Sequence, residues 1–225
     1  MPSLYDKNVP YLFIHIPKCG GTSITNYLEE HSAKFAKSPE YLPERGDKTE
    51  GLKAAFDANN KANPRNRNWQ ILHARAIDYK NAWSEERYAS AFKFSIVRNP
   101  WTRLGSLYHY IRMRPQNPHY EKVMSQTLDE YILEHCEKFR SVQSMWLTDL
   151  NGNIIVDDIV RLEDLENGMS RISKKIFGIA KEIPKVNVSA NGRTPLKFKS
   201  ETIDLVRDVF RSDFELFDYP DHPDA

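Results

Sequence analysis

Apolar and polar positions alternate along this 225-residue chain in short blocks of two different periods. The first block, Tyr11 to Ile16, is apolar and stops at Pro17. Lys18 and two glycines follow, and then Ile24, Tyr27 and Leu28 recur at the spacing of one helix face. The pattern predicts a strand, a tight turn and a helix. A second such unit begins with the apolar strand Phe94 to Val97, followed by Asn99 as an N-cap and Pro100 at the first helical position. Leu104, Leu107, Tyr108 and Ile111 then form one apolar helix face. Gln70 to His73 reads as a short strand, Ser84 to Ala91 and Asp129 to Phe139 as helices, and Asn151-Gly152 as a turn. Ile154 to Leu162 is strand-like, Asp164 to Phe177 is helical, and residues 183–199 read as loop. Ile203, Val206, Phe210, Phe214 and Phe217 line one face of a single final helix. Strands alternating with helices predict an α/β fold, a single domain with a central parallel sheet flanked by helices.

Residues 34–68 interrupt this order. They are polar and rich in Pro, Asn, Lys and Arg, and fit either a lid over substrate or a disordered surface segment. The chain shows no internal repeat. Its length suits one domain with a sizeable core. A net charge of +1 gives no global case for nucleic acid or membrane binding. Local basic groups at Lys61, Arg65 and Arg67, and at Arg112 and Arg114, read first as solvated surface and second as a rim for an acidic glycan. Two cysteines, Cys19 and Cys136, supply neither a disulfide framework nor metal-ligand spacing. No apolar stretch is long enough to span a membrane, which points to a cytoplasmic protein, or to a Golgi-lumen one if an N-terminal anchor has been trimmed away.

The candidate chemistry sits in the stretch F-I-H-I-P-K-C-G-G-T-S, residues 13–23. A strand, a glycine turn and a helix start make an anion site: glycines let the backbone come close, N–H groups point outward, and the helix dipole favours negative charge. Lys18 adds a positive charge, and Thr22 and Ser23 add hydroxyls. The nucleoside-triphosphatase loop places its lysine after the glycines, so that motif fails here. The dinucleotide fingerprint G-x-G-x-x-G is absent. A cysteine phosphatase loop built on Cys19 would be closed by an arginine, and Thr25 stands near that place. An ordinary tight turn would explain the loop alone, but Arg98 and Ser106 count against it. Arg98 falls at the carboxyl end of a predicted strand and Ser106 about two turns into the next helix, which suits a second phosphate.

These two motifs resemble those of sulfotransferases that use 3′-phosphoadenosine 5′-phosphosulfate (PAPS). Lys18-Cys19-Gly20-Gly21-Thr22-Ser23 is similar to their P-loop-like 5′-phosphosulfate loop, with Cys19 where many relatives have threonine. Arg98-Asn99-Pro100-Trp101 through Ser106 and Tyr108 is similar to their 3′-phosphate motif. H-A-R-A-I-D-Y (residues 73–79), I-V-R-L-E-D-L (159–165), K-V-N-V-S (185–189) and D-F-E-L-F-D-Y (213–219) resemble segments of the carbohydrate branch related to heparan 2-O-sulfotransferase.

The resemblance implies sulfuryl transfer from PAPS to an acceptor hydroxyl, that of a saccharide, without a metal. It implies His73 as general base and Lys18 as the charge facing the leaving group. It implies Cys19, Gly20, Gly21, Thr22, Ser23, Arg98 and Ser106, with Ser189 and Arg193 from the late loop, as cofactor-binding residues. Asp78 reads as a surface carboxylate before a partner of His73, His15 as structural, and Tyr108, Trp101 and Trp146 as core or pocket wall. Sulfation of a small alcohol, phenol or lipid, a phosphoryl transferase on a similar fold, and a silent nucleotide-binding member are the competing readings.

Overall fold

The computed structural model describes residues 11–35, 73–139, 141–178 and 197–224. The expected insertion 34–68 and the late loop 183–199 therefore lie mostly outside the described residues, as do residues 70–72 of the expected strand. In chain order the elements are β1 (Tyr11–Ile14), α1 (Gly21–Phe35), α2 (Ala76–Ala82), α3 (Glu85–Ser90), β2 (Phe92–Val97), α4 (Pro100–Arg112), α5 (Tyr120–Met124) and α6 (Leu128–Phe139). They continue with α7 (Ser144–Leu147), β3 (Asp158–Arg161), a 3-10 turn (Leu162–Asp164), α8 (Leu165–Phe177), α9 (Ser200–Val209) and α10 (Arg211–Phe217). The chain divides into two compact units, Met1–Val97 with Met145–Val186, and Arg98–Ser144 with Asn187–Ala225.

The first unit is α/β. Among the described residues its three strands form a parallel sheet in the order β1-β2-β3, flanked by helices. The register sets Phe13 opposite Phe94 and Ser95 opposite Ile159. Every residue of β1 is buried, as the uninterrupted apolar run predicts for a covered parallel strand. The Phe13 and Phe94 rings stack at 5.3 Å. Ile24, Tyr27 and Leu28 of α1 are buried, as their spacing predicts, and Tyr27 Oη lies 2.6 Å from Ser173 Oγ of α8. Helix α8 comes close to β3 at Gly168, where a Cβ would lie 2.1 Å from Val160 Cγ1.

The strand-like run 154–162 is shorter than expected. Ile154 instead makes an antiparallel bridge to Thr148 across the Asn151-Gly152 turn. Asp157 opens the ladder: its N–H donates to the Lys93 carbonyl (2.7 Å), and its carboxylate accepts from the Lys93 N–H (2.7 Å). Parallel pairing with β2 then runs from Asp158.

The second unit is helical. Asn99 caps α4 as predicted, its Oδ1 accepting from the Trp101 N–H at 2.9 Å, and Pro100 takes the first helical position. Trp101, Leu104, Tyr108 and Ile111 are buried, whereas Leu107 is half-buried. Trp101 meets Phe198 at 5.3 Å and Phe214 at 6.0 Å between ring centroids. The expected single final helix is two. It bends at Phe210 (φ −100°, ψ 17°) between α9 and α10. Asp129 holds the start of α9, accepting from the Lys199 N–H (2.9 Å) and the Thr202 hydroxyl (2.6 Å). Asp213 anchors α10 to the main chain of Gln143 and Ser144, so the bend lies between two fixed points. Phe210, Phe214 and Phe217 are nonetheless all buried, so the apolar stripe survives the bend.

Candidate active site

The loop after β1 turns on two left-handed residues, Lys18 (φ 69°) and Gly20 (φ 75°). The conformation suits glycine and strains lysine, because a left-handed backbone brings Cβ close to the following carbonyl. The Gly20 carbonyl accepts from Ser23 N–H (3.0 Å) and Ile24 N–H (3.3 Å), which starts α1. The N–H groups of Gly21 and Thr22, in the first turn of that helix, have no intrahelical acceptor and lie at the positive end of its dipole. Thr22 is exposed and Ser23 half-buried, so both hydroxyls lie at the surface of this helix end. The Cys19 side chain is buried instead, with its N–H directed to the Ile16 carbonyl at 3.4 Å and Sγ 3.7 Å from the Pro17 carbonyl.

Two histidines stand behind the loop. The His15 ring stacks on Phe13 and packs so closely against Gly21 that a Cβ there would lie 2.0 Å from ring atoms. Its Nδ1 is buried without a hydrogen-bond partner among the described residues. Burial, and then the neighbouring charge of His73, push its pKa down to about 3, so the ring is neutral. The structural reading of His15 fits this placement. His73 lies in a turn before α2, with its ring 4.6 Å from that of His15. Its Nδ1 is 2.8 Å from the His15 carbonyl, which can only accept. In its neutral form the His73 ring therefore carries its proton on Nδ1 and its lone pair on Nε2. The Trp146 indole N–H donates to the His73 carbonyl at 2.8 Å, fixing the backbone as well. That role for Trp146 was invisible in the sequence. Asp78 does not partner His73. Its carboxylate accepts from the Arg75 N–H (2.8 Å) and guanidinium (2.9 Å), closing the first turn of α2.

In the second unit Arg98 is half-buried, one residue past the end of β2. Its Nε donates to Thr102 Oγ1 at 3.0 Å. Thr102 and Ser106 are four residues apart on α4 and share a face, so Ser106 lies next along the face that holds the guanidinium. Gln143, fully buried, grips the Arg98 main chain at both polar groups, accepting from N–H (2.8 Å) and donating to C=O (2.7 Å). Asp213, also fully buried, accepts from the Gln143 N–H (2.7 Å) and the Ser144 N–H (2.8 Å). Burial raises the Asp213 pKa, and these bonds oppose the rise. Neither Gln143 nor Asp213 was a sequence candidate. Arg112, counted among the basic surface residues, donates to the carbonyl of Val123 at 3.2 Å and lies over the Tyr108 ring. Ser189 and Arg193 lie outside the described residues.

Each unit carries donors that suit an anionic group. A helix start with a lysine and two hydroxyls does so in the first, and a guanidinium beside a helix hydroxyl in the second. Fold and donors together define an α/β protein with a glycine loop for a phosphate-like anion. A family model described as Sulfotransferase family matches residues 3–220, and the chain belongs to that family. It is a family of PAPS-dependent enzymes, so the chain is a transferase whose sulfuryl donor is PAPS. The chain has no match among curated proteins or solved structures. No helix among the described residues is long and apolar enough to cross a membrane.

Proposed function

We propose that this chain moves a sulfuryl group from PAPS to a saccharide hydroxyl by in-line displacement, with His73 as general base and Lys18 facing the leaving group. When bound, PAPS supplies the activated sulfuryl group and 3′-phosphoadenosine 5′-phosphate as its leaving group. The observation that carries the reading is the His73 Nδ1 bond to the His15 carbonyl, which leaves the lone pair on Nε2. Nε2 takes the acceptor's proton as the acceptor oxygen forms its bond to sulfur and the bond from sulfur to the phosphate oxygen breaks. Lys18 and the N–H groups at the start of α1 stabilise the charge left on that oxygen. Arg98 and Ser106 hold the 3′-phosphate and so distinguish PAPS from other adenylates. The saccharide acceptor rests on the resemblance of residues 73–79 to the carbohydrate branch.

Calorimetric titration with 3′-phosphoadenosine 5′-phosphate, with AMP and ATP–magnesium as controls, tests the donor site. Preferential metal-independent binding of the 3′-phosphorylated nucleotide is expected. Preference for ATP–magnesium, or no binding, would refute the donor assignment. A screen of sulfate transfer to glycans, phenols and small alcohols tests the acceptor, and turnover on phenols alone would overturn the saccharide.

A further inference from the structure

We infer that Gln143, Asp213 and Thr102 are positioning residues for Arg98, which set its guanidinium before any ligand arrives. The inference rests on the reading that Arg98 holds the 3′-phosphate. The Gln143 side-chain amide acts on Arg98 as a neighbouring strand would. Its Oε1 accepts from the Arg98 N–H at 2.8 Å, and its Nε2 donates to the Arg98 C=O at 2.7 Å. The reversed amide would set N–H against N–H and oxygen against oxygen, so the network fixes the orientation. Nε2 also lies 3.2 Å from Asp213 Oδ2, which accepts from the Gln143 N–H as well. Both side chains are fully buried. Burying an amide and a carboxylate is costly, and packed apolar side chains would often serve stability as well or better. What the polar pair adds is a fixed geometry at Arg98.

Thr102 acts on the other end of the residue. Its Oγ1 accepts from Arg98 Nε at 3.0 Å and donates to the Asn99 carbonyl at 3.2 Å. A hydroxyl that donates backward must accept forward, which orients its lone pairs toward Nε. The guanidinium plane is thereby set on the face of α4 that also carries Ser106. With the Arg98 N–H directed to Gln143, reading of an anion at this position falls to the guanidinium. A fork held in place loses less freedom on binding, which is the general source of affinity from preorganisation.

The test is the ratio of affinities for 3′-phosphoadenosine 5′-phosphate and AMP, by calorimetry, because the ratio isolates the 3′-phosphate. Thr102→Val keeps the β-branched shape and removes the acceptor. It should reduce the ratio roughly 3- to 10-fold, the net effect of one hydrogen bond, with AMP binding unchanged. Thr102→Ser should restore it. Gln143→Ala should lower the ratio in the same sense, with thermal unfolding followed alongside. In an Arg98→Ala background Thr102→Val should have no further effect. If Arg98→Ala lowers the ratio and Thr102→Val does not, positioning is overturned while the 3′-phosphate reading stands. If Arg98→Ala leaves the ratio unchanged, the underlying reading fails and the inference with it. A Gln143→Ala chain that does not fold would reduce Gln143 and Asp213 to structural residues and strip them from the inference.

Discussion

Gly21→Ala tests the packing behind the anion loop, because it adds one methyl group where the structure has no room. Gly21 has an ordinary helical start, not a positive φ, so the substitution brings no backbone strain of its own. Its new Cβ would lie 2.0 Å from Cδ2 and Nε2 of His15, where an ordinary contact is 3.4–4 Å. The ring cannot easily give way. It is stacked on Phe13 at 5.8 Å and meets His73 at 4.6 Å. Overpacking of this kind typically costs about 1–3 kcal/mol. For a chain of this length that corresponds to a fall in Tm of about 2–12 °C. Circular dichroism melting is the assay, on Gly21→Ala, His15→Ala and the double variant. His15→Ala has its own cost from the cavity left behind. In that background, however, Gly21→Ala should cost about nothing, so the two changes should show a coupling of about 1–3 kcal/mol. An unchanged Tm in the single variant, or purely additive changes in the double one, would refute the account of His15 as the group that demands glycine.

Other expectations concern His73, Lys18 and two further histidines, His15 and, on α6, His135. His73→Ala should lower turnover by about 10²- to 10⁴-fold with little loss of nucleotide affinity, and turnover near wild type would remove the base assignment. Lys18→Gly should relieve a left-handed side chain, raising stability by roughly 1 kcal/mol, while lowering turnover by about 10²- to 10³-fold. Loss of activity without a gain in Tm would show that the loop is not strained at Lys18. The pKa of His15 is about 3 and that of His135 about 4, both pushed down chiefly by burial. Between those values and the ordinary 6.5 the unfolded chain binds protons that the folded chain refuses, so stability should fall as pH drops below about 6.5, by ~1.4 kcal/mol per pH unit for each residue fully engaged. His15→Phe should flatten that slope, and a stability flat from pH 7 to 4 in the parent chain would contradict both shifts.

The parts of the fold legible in the sequence are those whose cause is local. Lys18, Gly20 and Gly21 marked the turn because lysine and glycine there serve no core, and Ile24, Tyr27 and Leu28 marked α1 by spacing alone. Asn99-Pro100 announced the start of α4 because a cap and its helix are neighbours in the chain. Gln143 was illegible because its partners are Arg98, 45 residues away, and Asp213, 70 away. Nothing in its neighbourhood marks it. Trp146 reads as core or pocket wall, and it is buried; its bond to the His73 carbonyl was hidden because that partner is 73 residues distant. The bend at Phe210 was hidden by an apolar stripe that continues through it. Asp78, by contrast, has its partner three residues away at Arg75, yet the reading of it as a surface carboxylate passes over that spacing.

The way the chain is divided has a consequence for how the protein is made. The first unit takes residues from both sides of the second unit's opening segment, Arg98–Ser144. Among the described residues its third strand, Asp158–Arg161, pairs with β2 alone, and it reaches the sheet after that whole segment has been made. During synthesis β2 therefore emerges with one edge exposed and waits for about 60 further residues, several seconds at ordinary elongation rates. An unpaired strand edge in a strand carrying Phe92, Phe94, Ile96 and Val97 is a hazard for misassociation during such a wait. A ribosome stalled near residue 144 should hold a nascent chain that is protease-sensitive in β1 and β2, and one stalled well past residue 186 should not.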